Sequence, residues 1–250
     1  MIEVKGLTKV FHDGKKGNVV AVDNVSFVCA PGKIFGLLGR NGAGKTTTLR
    51  MLATILTPTS GTATVQGHDV VRSPDKVREA IGYLSGDTKL YDRLSGKEAL
   101  EYFGRLHGLS KESARERARH MIESLGMKEY ADRKIGKMST GMKQRVSIGR
   151  VMVHNPNVLI LDEPAQGLDV LGAREVQKFM RNMKAEGKTI LMSTHIMSEA
   201  EKLCDEIAII EKGKILSSGG LEDLRKMTGE RDLEEIFVKL VGEVSKELQT

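Results

Sequence analysis

The sequence predicts an α/β protein in three parts: a parallel-sheet core, an antiparallel β subdomain on its N-terminal side and an inserted helical subdomain. Residues 158–161 and 189–192 are uninterrupted apolar segments, which are typical of strands buried on both faces of a parallel sheet. Residues 1–86 are rich in short β-type segments, whereas apolar residues between about 94 and 150 recur near the 3.6-residue period of helices. A helix predicted at 172–185 joins the two apolar strands, so this part of the chain forms a βαβ unit.

The remaining elements are predicted from local patterns. Strands are expected at 2–4, 20–28 and 34–38, a hairpin around 62–65, helices at 97–103 and 110–125, and a terminal hairpin at 206–210 and 214–217. A capping box at Asp232 and Glu235 precedes a helix with an apolar face, formed by Leu233, Ile236, Phe237, Leu240 and Val241. We expect this face to pack on its own domain, and a groove on a partner is the alternative.

These elements are assigned to a single domain spanning residues 1–250. Residues 1–86 and 151–227 are predicted to form the core with its β subdomain, 87–150 the helical subdomain, and 228–250 the C-terminal helix.

Composition excludes several classes of protein. With 40% hydrophobic residues, 29% charged residues and no biased tract, the chain is neither collagen-like, mucin-like nor disordered. Its apolar runs are far shorter than the ~20 residues that cross a bilayer, and the N-terminus lacks the apolar core of a signal peptide, so a cytoplasmic protein is expected. Cys29 and Cys204 have no metal-ligand spacing and are predicted to be buried free thiols.

The net charge of +6 is compatible with an anionic partner. Lys, Arg and Glu are interleaved at 111–117, which favours solvated helix faces, and aromatic residues make up only 4% of the chain. No nucleic-acid partner is expected.

A phosphate-binding loop is predicted directly after the strand at 34–38. The segment matches the pattern GxxxxGK[ST] and precedes a helix through Leu52, so its backbone N–H groups would face phosphate oxygens. Lys45 would reach the β- and γ-phosphates, and the Thr46 hydroxyl would ligate Mg²⁺. The candidate nucleotide-binding residues of this loop are Gly39, Arg40, Asn41, Gly42, Ala43, Gly44, Lys45, Thr46 and Thr47.

Two carboxylates and a histidine follow the apolar strands. Asp162 and Glu163 end the strand at 158–161, where Asp162 can hold Mg²⁺ through water and Glu163 can accept a proton from an attacking water. His195 follows the next strand and is predicted to contact the γ-phosphate, because ligands of open α/β sheets bind at the carboxyl ends of the strands. The catalytic candidates are therefore Glu163, His195 and Lys45.

Further motifs resemble those of ABC ATPases. Residues 138–145 (Met-Ser-Thr-Gly-Met-Lys-Gln-Arg) are similar to the signature motif, residues 166–169 (Gln-Gly-Leu-Asp) resemble the D-loop, and His195 resembles the switch histidine. All motifs occur in the order of that family and cover essentially the whole chain. Within the family, residues 139–145, 82–87 (Gly-Tyr-Leu-Ser-Gly-Asp) and 232–237 (Asp-Leu-Glu-Glu-Ile-Phe) resemble those of ATP-binding subunits of ABC-2-type exporters, in particular the sodium-extruding, NatA-like group.

The resemblance implies a RecA-like P-loop ATPase core of the ABC nucleotide-binding type. Two subunits would face each other head to tail, with Ser139 and the Gly141 backbone contacting the γ-phosphate of the ATP on the partner. Phe11 would lie against adenine, although a core position is the alternative. Mg-ATP hydrolysis would drive transport, including sodium efflux, through separate transmembrane permease subunits, with this chain peripheral on the cytoplasmic face of the membrane.

The sequence also departs from the family pattern. Thr140 and Met142 replace the usual Gly and Gln of the signature, and Gly86 stands where the family carries a glutamine at the domain junction. Asp87 is the nearest candidate metal ligand, and the alternative is that it caps a turn with Thr88.

Two other functions remain open from the sequence. A soluble ABC ATPase acting on nucleic acid, ribosomes or assembly would carry basic arms, a second ATPase unit or long coiled-coil insertions, and none is visible. A P-loop kinase would require an acceptor site and leaves the signature without a role.

Overall fold

Two β-sheets organise the part of the chain that the computed structural model describes, residues 1–14, 17–86 and 89–247. The strands are β1 (Ile2–Asp13), β2 (Gly17–Cys29), β3 (Ile34–Leu38), β4 (Ser60–Val65), β5 (His68–Asp69), β6 (Ile81–Leu84), β7 (Val158–Asp162), β8 (Thr189–Thr194), β9 (Glu206–Glu211) and β10 (Lys214–Gly219). The helices are α1 (Lys45–Leu52), α2 (Pro74–Ala80), α3 (Gly96–Leu106), α4 (Lys111–Ser124), α5 (Thr140–Met152), α6 (Val170–Ala185), α7 (Met197–Leu203), α8 (Leu221–Thr228) and α9 (Leu233–Glu247).

The core sheet has the order β10-β9-β3-β8-β7-β6. Strands β9, β3, β8, β7 and β6 run parallel to one another, whereas β10 pairs antiparallel with β9. Every residue of β3, β7 and β8 is buried, as their apolar sequences predict. The βαβ unit formed by β7, α6 and β8 is confirmed. Because parallel strands end at one edge of a sheet, the segments after β3, β8, β7 and β6 converge there.

The second sheet is antiparallel and has the order β2-β1-β4-β5. It confirms the β subdomain and the hairpin predicted around residues 62–65. Strands β1 and β2 extend well beyond the predicted segments, because their far ends pair with each other out to Asp13 and Gly17. Phe11, Val19 and Val20 in this extension are apolar and exposed. The Asp23 N–H donates to the Gly213 oxygen (2.9 Å), which joins this sheet to the β9–β10 turn.

Helices α3, α4 and α5 form the inserted helical region. A capping box begins α3: Ser95 Oγ accepts from the Glu98 N–H (3.1 Å), and Glu98 Oε2 accepts from the Ser95 N–H (2.7 Å). The bond that the Ser95 N–H donates to the carboxylate, followed by those of Lys134 and the Ser95 hydroxyl, lowers the pKa of Glu98 to about 2. Both predicted helices, 97–103 and 110–125, are confirmed. The boundaries proposed between subdomains stay a prediction.

The C-terminal helix packs on its own domain. Leu233, Ile236 and Phe237 are buried in one cluster with Leu38 and Ile209 of the core sheet, which confirms the predicted packing. No helix in the described ranges is long and apolar enough to cross a membrane.

Both cysteines are free thiols, as predicted. Cys29 is fully buried, whereas Cys204 is partly buried and so departs slightly from the prediction. Burial raises the pKa of each thiol to about 12.

Candidate functional site

The phosphate-binding loop connects β3 to α1 and presents bare backbone. A Cβ atom on Gly39 would lie 2.3 Å from the Ile210 oxygen, and Gly44 has a φ of 104°, so glycine is required at both positions. Gly44 is also the N-cap of α1, and no side chain caps this end of the helix. The first N–H groups of α1 are therefore available to an anion.

Lys45 lies inside the loop and is only 4% exposed. Its Nζ donates to the Gly39 oxygen (2.7 Å) and to the Arg40 oxygen (3.0 Å), and it lies 3.6 Å from Glu163 Oε1. Burial lowers the pKa of Lys45, while Glu163 and Asp162 oppose that shift. The amine thus places a positive charge at the base of the loop.

Most of the predicted loop residues line one small pocket of about 170 Å³. The lining residues are Ala21, Asn41, Gly42, Ala43, Gly44, Lys45, Thr46, Thr47 and Glu163. Gly39 and Arg40 are not among them, and their carbonyl groups instead hold the Lys45 amine.

Thr46 and Asp162 come together from separate elements. The Thr46 hydroxyl at the start of α1 donates to Asp162 Oδ1 at the end of β7 (3.2 Å). Adjacent ligands of an octahedral Mg²⁺ with bonds of about 2.1 Å lie about 3 Å apart, so this hydroxyl–carboxylate pair fits a hard cation. The sequence predicts contact of Asp162 through water, and the observed separation also allows direct binding.

Glu163 has an unusual backbone and faces two nitrogen atoms. Its φ is 48°, in the left-handed region that costs a non-glycine residue on the order of 1 kcal/mol or more. Oε1 faces Lys45, while Oε2 lies 3.0 Å from His195 Nδ1. The three predicted catalytic residues therefore form a single cluster, in which the carboxylate lies between the amine and the imidazole.

Ser193, the penultimate residue of β8, holds both carboxylate residues in position. Its buried Oγ donates to Asp162 Oδ1 (2.5 Å) and accepts from the Glu163 N–H (3.1 Å). The sequence alone indicates no specific role for this serine. A serine near the carboxyl end of an otherwise apolar strand is a sequence signal for a functional side chain. Its partners follow only from the pairing of β8 with β7, in which Ser193 lies opposite Asp162.

Phe11 lies on the β1–β2 hairpin, paired with Val19. It is 39% exposed, so the core alternative is wrong. The Lys9 amine lies 5.2 Å from its ring centroid. Contact with adenine stays a prediction.

The signature residues lie on a different surface. Ser139 is the N-cap of α5, and its Oγ accepts from the Met142 N–H (3.3 Å), which leaves the hydroxyl hydrogen free to donate. Ser139 is exposed and Gly141 is half-buried. Together with Gly167 and Asp169, these residues line an open pocket with a volume of about 760 Å³.

Two polar contacts join the signature helix to the core, in addition to its buried apolar side chains. Gln144 Nε2 of α5 donates to the Pro164 oxygen (2.6 Å), directly after Glu163. Arg145 of α5 forms an ion pair with Glu175 of α6. The signature surface is therefore tied within one chain to the segment that carries the candidate base.

The junction residues are only partly described. Gly86 lines a pocket of about 220 Å³ together with Thr46, Asp162 and Glu163. Asp87, the predicted metal candidate, and Thr88 lie outside the described residues.

Comparisons with known proteins agree with this geometry. A family described as "ABC transporter" matches residues 22–166. The chain is 42% identical to the ABC transporter ATP-binding protein NatA of Bacillus subtilis, covering 98% of this chain and 100% of that protein. It is 40% identical to the daunorubicin/doxorubicin resistance ATP-binding protein DrrA of Streptomyces peucetius, over 91% of this chain and 68% of that one.

Solved structures show the same fold. An ATP-binding subunit of an ABC transporter aligns with a TM-score of 0.85 and 31% identity, covering 96% of this chain and 99% of that one. The dimeric cassette MJ0796, bound to ADP and Pi, aligns with a TM-score of 0.81 at 23% identity, over 88% of this chain and 98% of that one, and supports the fold only. These relatives do not favour the soluble-ATPase or the kinase alternative.

Proposed function

The chain belongs to the ABC transporter family as an ATP-hydrolysing subunit, and on this basis we propose how its residues bind and hydrolyse ATP. The observation that carries the proposal is the cluster of Lys45, Glu163 and His195 beside the phosphate loop, with separations of 3.6 and 3.0 Å. A buried amine, a carboxylate and an imidazole at a glycine-rich loop are suited to phosphoryl transfer to water.

Each of the three residues has a separate task. Lys45 neutralises the β- and γ-phosphates, because its amine is already held at the base of the loop. Glu163 accepts the proton of the attacking water, and His195, which faces Glu163 Oε2, contacts the γ-phosphate. Residues 41–44 and 46–47, which line the pocket, bind the phosphate chain mainly through backbone N–H groups, and Gly39 and Arg40 hold the Lys45 amine. Phe11, exposed on the neighbouring hairpin, stacks on adenine.

Thr46 and Asp162 are the residues that would hold Mg²⁺. The ion, when bound, neutralises charge on the phosphate oxygens. Ser193 prevents the Asp162 carboxylate from turning away, because its hydroxyl donates to Oδ1.

The other half of the site comes from a second ATPase subunit. Ser139 is exposed, and it lines an open pocket together with the half-buried Gly141, as a surface that closes on a partner's nucleotide requires. A homodimer, or a pair with a related subunit, is the proposed ATP-bound state.

The proposed docking face for a permease is an aromatic patch, defined by Tyr91, Tyr102, Phe103 and Leu106. The rings of Tyr91 and Tyr102 lie 5.8 Å apart edge to face, and Tyr91 stacks on Phe103 at 6.1 Å. Tyr91, Tyr102 and Leu106 remain 53, 42 and 61% exposed, so the patch presents apolar area to solvent. A cytoplasmic helix of a transmembrane subunit is the proposed occupant, which places this chain on the cytoplasmic face of the membrane.

Sodium is the proposed cargo, on the resemblance to the NatA-like group. The decisive experiment is transport in vesicles that contain the chain with its membrane subunit. ATP-dependent movement of ²²Na⁺ that is abolished by Glu163→Gln supports the proposal. ATP-dependent extrusion of an anthracycline without sodium movement would instead place the chain with the drug-exporting relatives, and phosphate transfer to an organic acceptor would contradict ATP hydrolysis.

A further inference from the structure

One polar side chain beside Thr46 has no part in the chemistry described above. Gln166 lies on the turn that follows Glu163, where its N–H donates to the Glu163 oxygen (3.0 Å). Its side chain lines the pocket of about 220 Å³ that also contains Asn41, Thr46, Gly86, Asp162 and Glu163. The pocket thus combines two amides, a hydroxyl and two carboxylates at the carboxyl edge of the core sheet.

Gly86 faces Gln166 across this pocket. A Cβ atom placed on Gly86 would lie 3.5 Å from Gln166 Oε1, and no other described atom outside the neighbouring residues lies within 4 Å of it. The φ of Gly86 is not in the left-handed region, so the backbone would accept a side chain there. The amide oxygen of Gln166 therefore reaches the space that a side chain on Gly86 would enter.

The amide of Gln166 is available for a ligand. Within the described ranges it forms no side-chain hydrogen bond, whereas the amide of Gln144 is committed to the Pro164 oxygen. Amide oxygen is a hard, neutral donor of the kind that binds Mg²⁺ together with carboxylate and hydroxyl oxygens. A neutral ligand also adds no further negative charge to a pocket that already contains Asp162 and Glu163.

We propose that Gln166 supplies the side-chain oxygen that completes the Mg²⁺ ligand set formed with Thr46 and Asp162, in place of a group that Gly86 cannot provide. The inference rests on the proposed nucleotide site. It makes the turn after Glu163 a metal-binding element within the same chain. Asp87 is the competing candidate from the sequence.

The test measures Mg²⁺-dependent nucleotide binding and not turnover. Calorimetry with the non-hydrolysable analogue adenylyl imidodiphosphate is carried out in EDTA and then over a series of MgCl₂ concentrations. Light scattering verifies that the protein is monomeric under each condition. We expect Gln166→Ala to raise the Mg²⁺ concentration at half-maximal effect about ten-fold. Binding in EDTA should stay unchanged, as should the melting temperature. Gln177→Ala on α6 is the matched glutamine control.

A double variant makes the test specific to position. Gly86→Gln combined with Gln166→Gly moves the amide to the opposite side of the pocket and removes the side chain that lies within 4 Å of the new Cβ atom. We expect this variant to recover most of the Mg²⁺ dependence that Gln166→Ala loses.

The possible failures are distinguishable. Absence of analogue binding to the unmodified protein, with or without Mg²⁺, would contradict the proposed nucleotide site itself. An unchanged Mg²⁺ dependence in Gln166→Ala would overturn the assignment of Gln166, most directly if Asp87→Ala shifted it. A loss of affinity that is equal in EDTA and in Mg²⁺ would identify Gln166 as a structural residue and would also overturn the inference.

Discussion

The core half and the signature half of the proposed nucleotide site differ in how completely one chain builds them. In the core half, Lys45 and Asp162 are 4 and 6% exposed, and each is held by hydrogen bonds. In the signature half, Ser139 is exposed and offers only a hydroxyl group and nearby backbone. The charged groups of the core half are therefore pre-organised in a low-dielectric environment, whereas Ser139 of the signature half is a neutral donor, which costs little to leave in water.

This difference predicts that the core half decides chemistry and the signature half decides association. Variants in the two halves should separate these properties. Variants at the joint between the helical region and the core, defined here by His107 and His154, should affect stability only.

The largest effect is expected at Glu163. Glu163→Gln keeps the shape of the side chain and removes the base, so the rate of ATP hydrolysis should fall by about 10²–10⁴-fold. Phosphate release at saturating Mg-ATP measures this change, and Glu79→Gln on exposed α2 is the control. Hydrolysis at the unmodified rate would show that another group is the base.

Lys45 should govern binding and not the chemical step. Because a hydrogen bond to a charged group contributes about 1.5–3 kcal/mol, Lys45→Ala should weaken ATP affinity by about 10- to 100-fold. Calorimetric titration on the Glu163→Gln background isolates binding from hydrolysis, with Lys76→Ala as the control. An unaltered affinity would mean that the amine remains bound to the Gly39 and Arg40 carbonyl groups when nucleotide is present.

Ser139 should alter association without altering binding to the monomer. Glu163→Gln protein should be monomeric without ATP and dimeric with ATP, because nucleotide supplies part of the interface. Adding Ser139→Arg should abolish the dimer, since a bulky cation cannot be desolvated against the facing loop. Light scattering gives the mass, and Ser113→Arg on α4 is the control. A dimer that forms without ATP, or that tolerates Ser139→Arg, would require a different interface.

The smallest effect concerns acid stability at the joint. The rings of His107 and His154 stack at 3.7 Å, and His154 Nε2 lies 3.0 Å from the Ile81 oxygen. Burial, with help from His107, Arg117 and Lys188, lowers the pKa of His154 from 6.5 to about 4. The unfolded chain therefore binds this proton first, and stability present above pH 6.5 is lost as the pH falls towards about 4.

Urea unfolding between pH 7 and pH 4 tests this expectation. His154→Gln should reduce the slope of stability against pH in this window, whereas His12→Gln on the exposed hairpin should not. Equal slopes in all three proteins would show that other groups control the acid response.

The local sequence determined much of the fold and of the core half. Several elements follow from local patterns: the apolar runs of β3, β7 and β8, the change to helical spacing of apolar residues after residue 94, and the apolar face of α9. Each of these elements lies where its pattern predicts it. The loop at 39–46 and the pair Asp162 and Glu163 were identified for the same reason, because their chemistry follows from residues adjacent in the chain.

Only the tertiary structure decided which distant side chains meet. Ser193 contacts Asp162 because β8 pairs with β7 in one register, and Gln166 reaches Gly86 because the turn after Glu163 lies opposite the end of β6. Phe11 is exposed because the β1–β2 hairpin continues past the core. Such contacts depend on strand order, on register and on the space left by a missing side chain. Packing between distant segments sets all three, and the hydrophobic periodicity within one segment does not predict it.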